Sequence, residues 1–209
     1  IGRLLLKNSA VILAGGLSKR FGRDKSLIEL AGKPLILHVL DRAFEIVVDE
    51  TVVVVSSEIQ KNAFASLLGR RANVIVDKYK AQSPLVGALT GFETVHGEYS
   101  LLLSCDTPFV SSQIAQFLLD LCVNRGAVIP RWPNGYIEPL QAAYHTRSAL
   151  TAAKTVLEEG KLDLRSMIAR LNGVRYVSTM VLRQMDPQLL TFFNINTLED
   201  LRRAESLLK

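Results

Sequence analysis

The sequence predicts an α/β fold: a single-domain, Rossmann-like, mostly parallel twisted sheet with helices on both faces. Short apolar runs rich in Val, Ile and Leu recur along the chain, and the segments between them show helical periodicity. The length of 209 residues suits one domain, and no stretch has the composition of a flexible linker. We therefore expect one domain over residues 1–209.

The apolar runs give the predicted strands. Their nearly continuous apolar character indicates strands that are buried on both faces, as in parallel sheets. The turn signal Pro133-Asn134-Gly135 precedes one of the later strands. The predicted strands lie near 9–13, 51–56, 73–77, 99–105, 126–130, 140–144 and 174–178.

The predicted helices lie at 34–46, 58–68, 84–95, 111–124, 146–158, 163–171 and from 197 onwards. Pro34 suits the first turn of its helix, and Ser111 suits an N-cap. At the last helix, Asn196 with Glu199 three residues later fits an N-cap and its reciprocal acid.

The composition narrows the kinds of partner. The net charge of +5 and the isoelectric point near 9.3 suit polyanions. The basic residues are scattered and the aromatic residues are not interleaved with them, so small phosphorylated molecules are favoured over nucleic acid.

The location is predicted from the cysteines and the hydropathy. Cys105 and Cys122 are too few for a disulfide framework, and their apolar neighbours indicate buried thiols in a reducing compartment. No run approaches the about eighteen apolar residues of a membrane span. Because Lys7-Asn8-Ser9 interrupts the apolar N-terminal stretch, a signal peptide is disfavoured. We expect a soluble, cytoplasmic protein without a membrane partner.

The first predicted strand leads into a glycine pair and a dense group of cations. Residues 13–25 read LAGGLSKRFGRDK, and ligands of open parallel sheets bind beyond the carboxyl ends of the strands. Gly15 and Gly16 would let backbone amides approach an anion, and Arg20 and Lys25 would neutralise phosphates. The spacing excludes the Walker loop and the G-x-G-x-x-G fingerprint. The alternative is a glycine turn followed by a solvated basic face.

Two other predicted strands end in an aspartate at the same edge. Asp106 ends SLLLSCD and Asp77 ends NVIVD. Magnesium prefers one or two carboxylates together with water and phosphate oxygens, so a strand-end Asp106 is an adequate anchor. Asp106 could instead cap the following helix, although Ser111 can serve that helix, and Asp77 could simply end its strand.

LAGGLSKRFGRDK resembles the signature L-A-G-G-x-S-x-R-x-G-x-D-K of the molybdenum cofactor guanylyltransferases, which have the nucleotide-diphospho-sugar transferase-like fold. Further segments are similar to that family in the same order. They are Pro84-Leu85-x-Gly87, Cys105-Asp106-Thr107-Pro108-Phe109, Glu138-Pro139-Leu140, and Asn194-Ile195-Asn196-Thr197 with Glu199-Asp200-Leu201.

Three positions depart from the family pattern. Phe21 stands where methionine is usual, Ser83 replaces the glycine before Pro84, and Leu198 replaces a proline. The resemblance remains informative because none of these exchanges removes a charged group.

The resemblance implies transfer of GMP from GTP to the terminal phosphate of molybdopterin, with release of pyrophosphate and Mg²⁺ held by Asp106. It implies Lys25, Arg20 and Asp106 as catalytic residues, Asn194 and Asn196 on the acceptor side, and transient contacts with cofactor-supplying or cofactor-receiving proteins. The nucleotide-binding residues would be Leu13, Ala14, Gly15, Gly16, Lys25, Asp77, Pro84, Leu85, Gly87 and Asp106.

The histidines are not needed as bases in such a reaction. A phosphate monoester nucleophile is mostly ionised at neutral pH, so no general base is required. No catalytic histidine is therefore expected among His38, His96 and His145. His38 in its apolar helical stretch and His96 beside a glycine have ordinary structural settings, and backbone carbonyls near Leu13-Ala14 are expected to accept from guanine.

Two alternatives stay open. One is a nucleotidyltransferase of the same fold that uses CTP or another phosphate or sugar-phosphate acceptor. The other is a non-catalytic nucleotide-binding or cofactor-binding partner that kept the glycine loop, although such a protein has less need of both Lys25 and Asp106.

Overall fold

The computed structural model describes residues 8–15, 17–18, 23–24, 27–46, 48–79 and 81–208. Within these ranges, seven strands form one central sheet. They are β1 (Asn8–Leu13), β6 (Glu50–Val55), β7 (Asn73–Val76), β8 (Tyr99–Ser104), β9 (Ala127–Arg131), β10 (Ala142–His145) and β11 (Val174–Ser178).

Short strand pairs and helices complete the described elements. The pairs are β2 (Leu17–Ser18) with β3 (Arg23–Asp24), and β4 (Glu29–Leu30) with β5 (Lys33–Pro34). The helices are α1 (Leu35–Phe44), α2 (Glu58–Leu68), α3 (Pro84–Thr94), α4 (Ser112–Cys122), α5 (Thr146–Glu158), α6 (Leu164–Ile168), α7 (Thr179–Leu182) and α8 (Leu198–Leu207). Gly69–Arg71 and Leu190–Phe192 form 3₁₀ turns.

The sheet is mostly parallel, as predicted. Its strand order is β11-β9-β10-β8-β1-β6-β7. Every neighbouring pair is parallel except those that involve β10, which runs antiparallel to both β8 and β9. The carboxyl ends of the six parallel strands therefore lie along one edge, where a doubly wound sheet binds its ligands.

Helices cover both faces of the sheet. One core layer lies under α1, α2 and α4, and the other lies under α3, α5 and α6. Helix α1 shows why: Ile36, Val39, Leu40 and Ala43 recur at helical spacing and are fully buried on one side. The predicted two-layer covering of the sheet is confirmed.

Helix α3 lies unusually close to β1. A Cβ atom at Gly91 would collide with the Cγ1 atom of Val11, so only glycine permits this approach. Nearly all of α3 is buried, from Leu85 to Phe92. The close packing holds the N-terminal turn of α3 beside the end of β1.

Two of the differences between predicted and observed helix ends have a clear structural reason. Pro34 does not lie in the first turn of α1 but precedes it in β5, with extended backbone (ψ 140°). The helix predicted over 163–171 ends at Ile168, because the amides of Arg170 and Leu171 bond three residues back and tighten the chain into a turn.

The cap of the last helix lies one residue later than predicted. Thr197, and not Asn196, is the N-cap of α8, and Asp200, and not Glu199, is the reciprocal acid. The Thr197 hydroxyl accepts from the Asp200 amide at 3.1 Å, and the Asp200 carboxylate accepts from the Thr197 amide at 2.8 Å. The same pattern of types fits both registers, so the sequence alone did not separate them.

Among the described residues, no helix combines the length and apolar character needed to cross a bilayer.

Candidate active site

The sheet contains a topological switch point between β1 and β8. From β1 the chain proceeds outward to β6 and β7, and it then returns to β8 on the other side of β1. Loops that leave two neighbouring strands in opposite directions open a crevice, which is the usual ligand site of such sheets. The residues that follow β1 and β8 border this crevice.

The exit of β1 is held by both neighbouring strands. The Ala14 amide donates to the Val54 carbonyl at 2.8 Å, and the Leu13 carbonyl accepts from the Cys105 amide at 3.0 Å. The Leu13 carbonyl therefore extends the sheet ladder and has one further lone pair, so the expectation that carbonyls near Leu13-Ala14 accept from a guanine stays a prediction. The Ala14 carbonyl is the other candidate acceptor.

Gly15 is exposed at the end of β1 and lies against the loop that follows β6. A Cβ atom there would stand 3.3 Å from the Ser56 nitrogen, which is tight packing against backbone. Ser56 in turn donates from its amide and its hydroxyl to the Gln60 side-chain oxygen at 2.8 and 2.7 Å. Sequence reasoning missed Ser56 and Gln60, although Ser56 ends a predicted strand at the ligand edge.

Part of the glycine and cation loop lies outside the described residues. Gly16, Arg20 and Lys25 are among these, so their predicted contacts with phosphates stay predictions. The backbone of β2 pairs with that of β3, with Leu17 opposite Asp24.

Asp77 lies close to the N-terminal part of α3. One of its carboxylate oxygens accepts from the Thr90 hydroxyl at 2.8 Å and from the Tyr79 amide at 3.3 Å. The other oxygen lies 3.9 Å from where a Cβ of Gly87 would stand, and Leu13 lies 3.4 Å from that point. The structure thus brings together Leu13, Asp77 and Gly87, which are far apart in sequence.

The first turn of α3 explains one departure from the family pattern. Ser83 is the N-cap, and its hydroxyl accepts from the Val86 amide at 3.3 Å. The serine therefore gives the helix a side-chain cap that a glycine would lack. Pro84 is exposed at the first helical position, whereas the Leu85 side chain is fully buried, so only the backbone of Leu85 can face a ligand.

Asp106 is half-buried directly after β8. Its carboxylate accepts from the Ser104 hydroxyl at 2.6 Å, and the Thr107 hydroxyl fixes the turn by donating to the Ser104 carbonyl at 2.9 Å. Helix α4 is capped by Ser111, whose hydroxyl accepts from the Ile114 amide. Asp106 is therefore not the cap of α4.

The segment before α8 packs onto the Asp106 turn. The Ile195 amide donates to the Asp106 carbonyl at 2.9 Å, and the Ile195 side chain is buried against Leu30, Leu35 and Ala204. This contact brings Asn194 and Asn196, which flank Ile195, to the crevice edge beside Asp106.

A second polar group that sequence reasoning missed lies beyond β9. The indole nitrogen of Trp132 donates to the Glu138 carboxylate at 2.6 Å, and the Gln141 amide nitrogen donates to the Thr107 hydroxyl at 3.2 Å. Burial raises the pKa of Glu138 above its ordinary value, and the indole donor partly opposes the shift. The sequence marks Glu138 only as part of the segment Glu138-Pro139-Leu140, and an acid six residues from a tryptophan has no pattern that predicts their contact.

Among the described residues, no three His, Cys, Asp or Glu side chains gather as a metal-binding cluster. Of the described His, Cys, Asp and Glu side chains, at most one could join Asp106 at a cation, so water and substrate oxygens would supply further ligands, which suits magnesium and does not suit a structural zinc.

Residues 10–174 match the sequence profile of the MobA-like NTP transferase domain. The chain belongs to this family. A relative from Desulfosudis oleivorans named molybdenum cofactor guanylyltransferase is 32% identical over 203 residues, covering 96% of each chain. The profile match over residues 10–174 includes most of the described sheet and its ligand edge.

Solved structures agree with the family assignment. The crystal structure of molybdopterin-guanine dinucleotide biosynthesis protein A from Archaeoglobus fulgidus has a TM-score of 0.82 and 30% identity, covering 96% of this chain and 98% of that one. A CMP:2-keto-3-deoxy-manno-octonic acid synthetase complexed with CTP shares the fold, with a TM-score of 0.72 at 18% identity over 96% or more of both chains. The MobA-like chain is accordingly a nucleotidyltransferase of the nucleotide-diphospho-sugar transferase fold.

Proposed function

We propose that this enzyme transfers GMP from GTP to the terminal phosphate of molybdopterin and forms molybdopterin guanine dinucleotide. An oxygen of the acceptor phosphate attacks the α-phosphorus of GTP, and the bond to the β-phosphate oxygen breaks, so that pyrophosphate leaves. The observation that carries the proposal is the position of Asp106, a half-buried carboxylate at the switch point beside the glycine exit of β1. Guanine and molybdopterin are taken from the names of the relatives.

The nucleotide would lie over the half of the edge formed by β1, β6 and β7. Gly15 offers exposed backbone at the end of β1, and the Ala14 carbonyl can accept from a guanine N–H. Asp77, held by Thr90, and the buried Gly87, which packs against Leu13, border the same half. Gly16, Arg20 and Lys25 would complete this site by contacting the triphosphate, as the signature predicts.

Asp106 would hold the Mg²⁺ ion. Its position fits, because the carboxylate is oriented by Ser104 and the turn is fixed by Thr107. When bound, the ion would neutralise triphosphate charge as pyrophosphate leaves. The remaining task of the protein is to align the two phosphates and to hold their charge, which is how phosphoryl-type transfers are generally catalysed.

The acceptor would lie on the other half of the edge, over β8, β10 and β9. Asn194 and Asn196 are attached to the Asp106 turn through Ile195, so their amides can contact the acceptor. The product must reach another protein, and we include transient contacts with cofactor-supplying or cofactor-receiving proteins in the proposal. A cytoplasmic location is also part of it, and the buried free thiol of Cys122 is compatible with a reducing compartment.

The proposal is tested by pyrophosphate release from GTP with molybdopterin and Mg²⁺. Asp106→Asn keeps the shape of the side chain but removes its charge, so we expect turnover to fall about a hundredfold or more. The matched control is Asp120→Asn on the exposed side of α4, which should keep full activity. Asp106→Asn within a few-fold of wild type, with an unchanged melting temperature, would remove the metal role from Asp106.

Two other functions are separated by the same assay. A CTP-using enzyme would release pyrophosphate faster from CTP than from GTP with the same acceptor. A non-catalytic binding partner would bind nucleotide but release no pyrophosphate with any nucleoside triphosphate.

A further inference from the structure

A second cleft lies at the opposite edge of the sheet from the candidate active site. Its volume is about 700 Å³, within the range of about 300–1,000 Å³ of small-molecule sites. Its lining includes the residue before β8, Glu98, the residue before β9, Gly126, and the last residue of β10, His145. Since Asp106 and Tyr99 lie at opposite ends of β8, about 20 Å separates this cleft from the candidate metal site.

The cleft carries an excess of positive charge. Arg125, Arg147 and Arg170 line it, against the single carboxylate of Glu98 among its lining residues. Arg170 is paired with Glu159. Arg125 and Arg147 form no ion pair with any residue that the structure describes, and Arg147 is exposed. Two guanidinium groups are therefore available to a ligand in one concave surface.

The third donor is the His145 ring. Its Nδ1 atom accepts from the Ser148 amide at 3.3 Å, so Nε2 is the ring nitrogen that can donate to a ligand. The ring is held in place by its edge contact with Tyr99, at 5.6 Å between centroids. Tyr99 is buried, and its hydroxyl accepts from the Asn124 amide at 2.9 Å. The His145 ring is thus held against a buried part of the core.

We infer that this cleft is a second ligand site, which binds a small phosphate-bearing anion through Arg125, Arg147 and His145. Guanidinium groups bind phosphate oxygens as planar forks, and the imidazole adds an N–H donor. The concave shape and volume suit a small molecule, and nothing about the site requires the nucleotidyl transfer proposed above. The site does not share a residue with the ligand edge.

The inference is tested by titrating inorganic pyrophosphate into the full chain with EDTA present, followed by amide NMR shifts and calorimetry. We expect shifts at Gly126, Arg147 and Asn172 that saturate with the calorimetric titration. Shifts that are confined to residues 13–15 and 104–107 would place the anion only at the candidate active site and would overturn the inference.

Two double variants distinguish binding in this cleft from a general effect of positive charge on anion affinity. The double variant Arg125→Ala/Arg147→Ala should weaken pyrophosphate binding by at least tenfold, as measured from the amide NMR shifts at the cleft. The matched control Arg183→Ala/Arg202→Ala removes two exposed charges elsewhere and should change it by less than twofold. Equal losses in the two double variants would overturn the inference.

For Glu98→Gln we expect tighter pyrophosphate binding, a result that misfolding would not produce. Glu98 is exposed, and its backbone carbonyl keeps its bond to the Thr146 amide in the variant. Removing the one opposing carboxylate should tighten pyrophosphate binding about threefold or more at low salt, and the gain should shrink as salt rises. An affinity that does not change, or that falls, would contradict an anion site here.

Discussion

At the scale of single residues, charged groups at strand ends form the candidate active site. Asp77 and Asp106 are separated by 29 positions in the chain, yet both stand at the ligand edge because each follows a parallel strand. Asp77 is oriented by Thr90 and Asp106 by Ser104. A hydroxyl donor holds each carboxylate, which leaves acceptor capacity for a ligand.

Lys25 supplies a prediction that comes from the signature alone. Lys25→Ala should weaken GTP binding and also lower kcat, because the ammonium would be most useful as negative charge builds on pyrophosphate. Lys25→Arg should restore neither fully, since a planar fork replaces a compact charge. Calorimetry and steady-state rates check both variants. If Lys25→Ala matches the wild type in both measurements, the opening loop is only a basic surface.

Glu138 supplies a prediction about pH. Burial raises its pKa in the folded protein, so the protonated form is favoured there. Its contribution to stability is therefore fully present below the unfolded pKa near 4.5 and is lost as pH rises through the raised folded pKa. Glu138→Gln should remove this loss and should raise the melting temperature at pH 7 more than at pH 4. Thermal melts at the two pH values measure it, and an equal change at both would contradict the assignment.

At the scale of elements, the approach of α3 to β1 positions the nucleotide half of the site. Gly91→Ala should destabilise the fold by about 1–3 kcal/mol, since the new methyl group meets Val11 in a packed core. Val11→Ala removes the obstructing carbon, so the double variant should cost less than the sum of the two single variants. Urea unfolding of the four proteins gives this cycle. Strict additivity would mean that the two residues do not contact each other.

The sequence predicts elements well where periodicity decides them. Helices α2 and α5 and strand β11 have their predicted bounds, because apolar spacing and flanking turn residues agree there. The sequence does not predict the bounds of elements that depend on tertiary contacts. Examples are α7, the pair β4–β5 and the short α6, whose residues show no strong hydrophobic periodicity. The cap of α8 was misplaced by one residue because Asn196 and Thr197 are both good capping residues.

The candidate site likewise contains some residues that the sequence predicts and others that it does not. Strand-end aspartates and glycines can be found from the sequence, because the parallel sheet brings strand ends to one edge. The partners that orient them cannot: Thr90 and Gln60 lie inside helices and carry no pattern. The engaged carbonyl of Leu13 is likewise a result of strand order, which pairs β1 with β8.

At the scale of the whole molecule, the mostly parallel sheet separates the two proposed binding regions. Its carboxyl edge carries Asp77 and Asp106 at the switch point, and its amino edge carries the arginine-lined cleft. The net charge of +5 suits phosphorylated ligands at both edges.

Identifying the reaction product tests the proposed transfer of GMP to molybdopterin. The purified protein is incubated with Mg²⁺, molybdopterin and either GTP or CTP, and the products are identified by mass. A pocket that offers backbone acceptors would leave them unpaired with cytosine, at about 1–3 kcal/mol for each buried group. We expect molybdopterin guanine dinucleotide and pyrophosphate, with kcat/KM for GTP at least about tenfold above that for CTP. Equal or greater use of CTP would contradict the guanine assignment, and no dinucleotide from any nucleoside triphosphate would contradict the transfer itself.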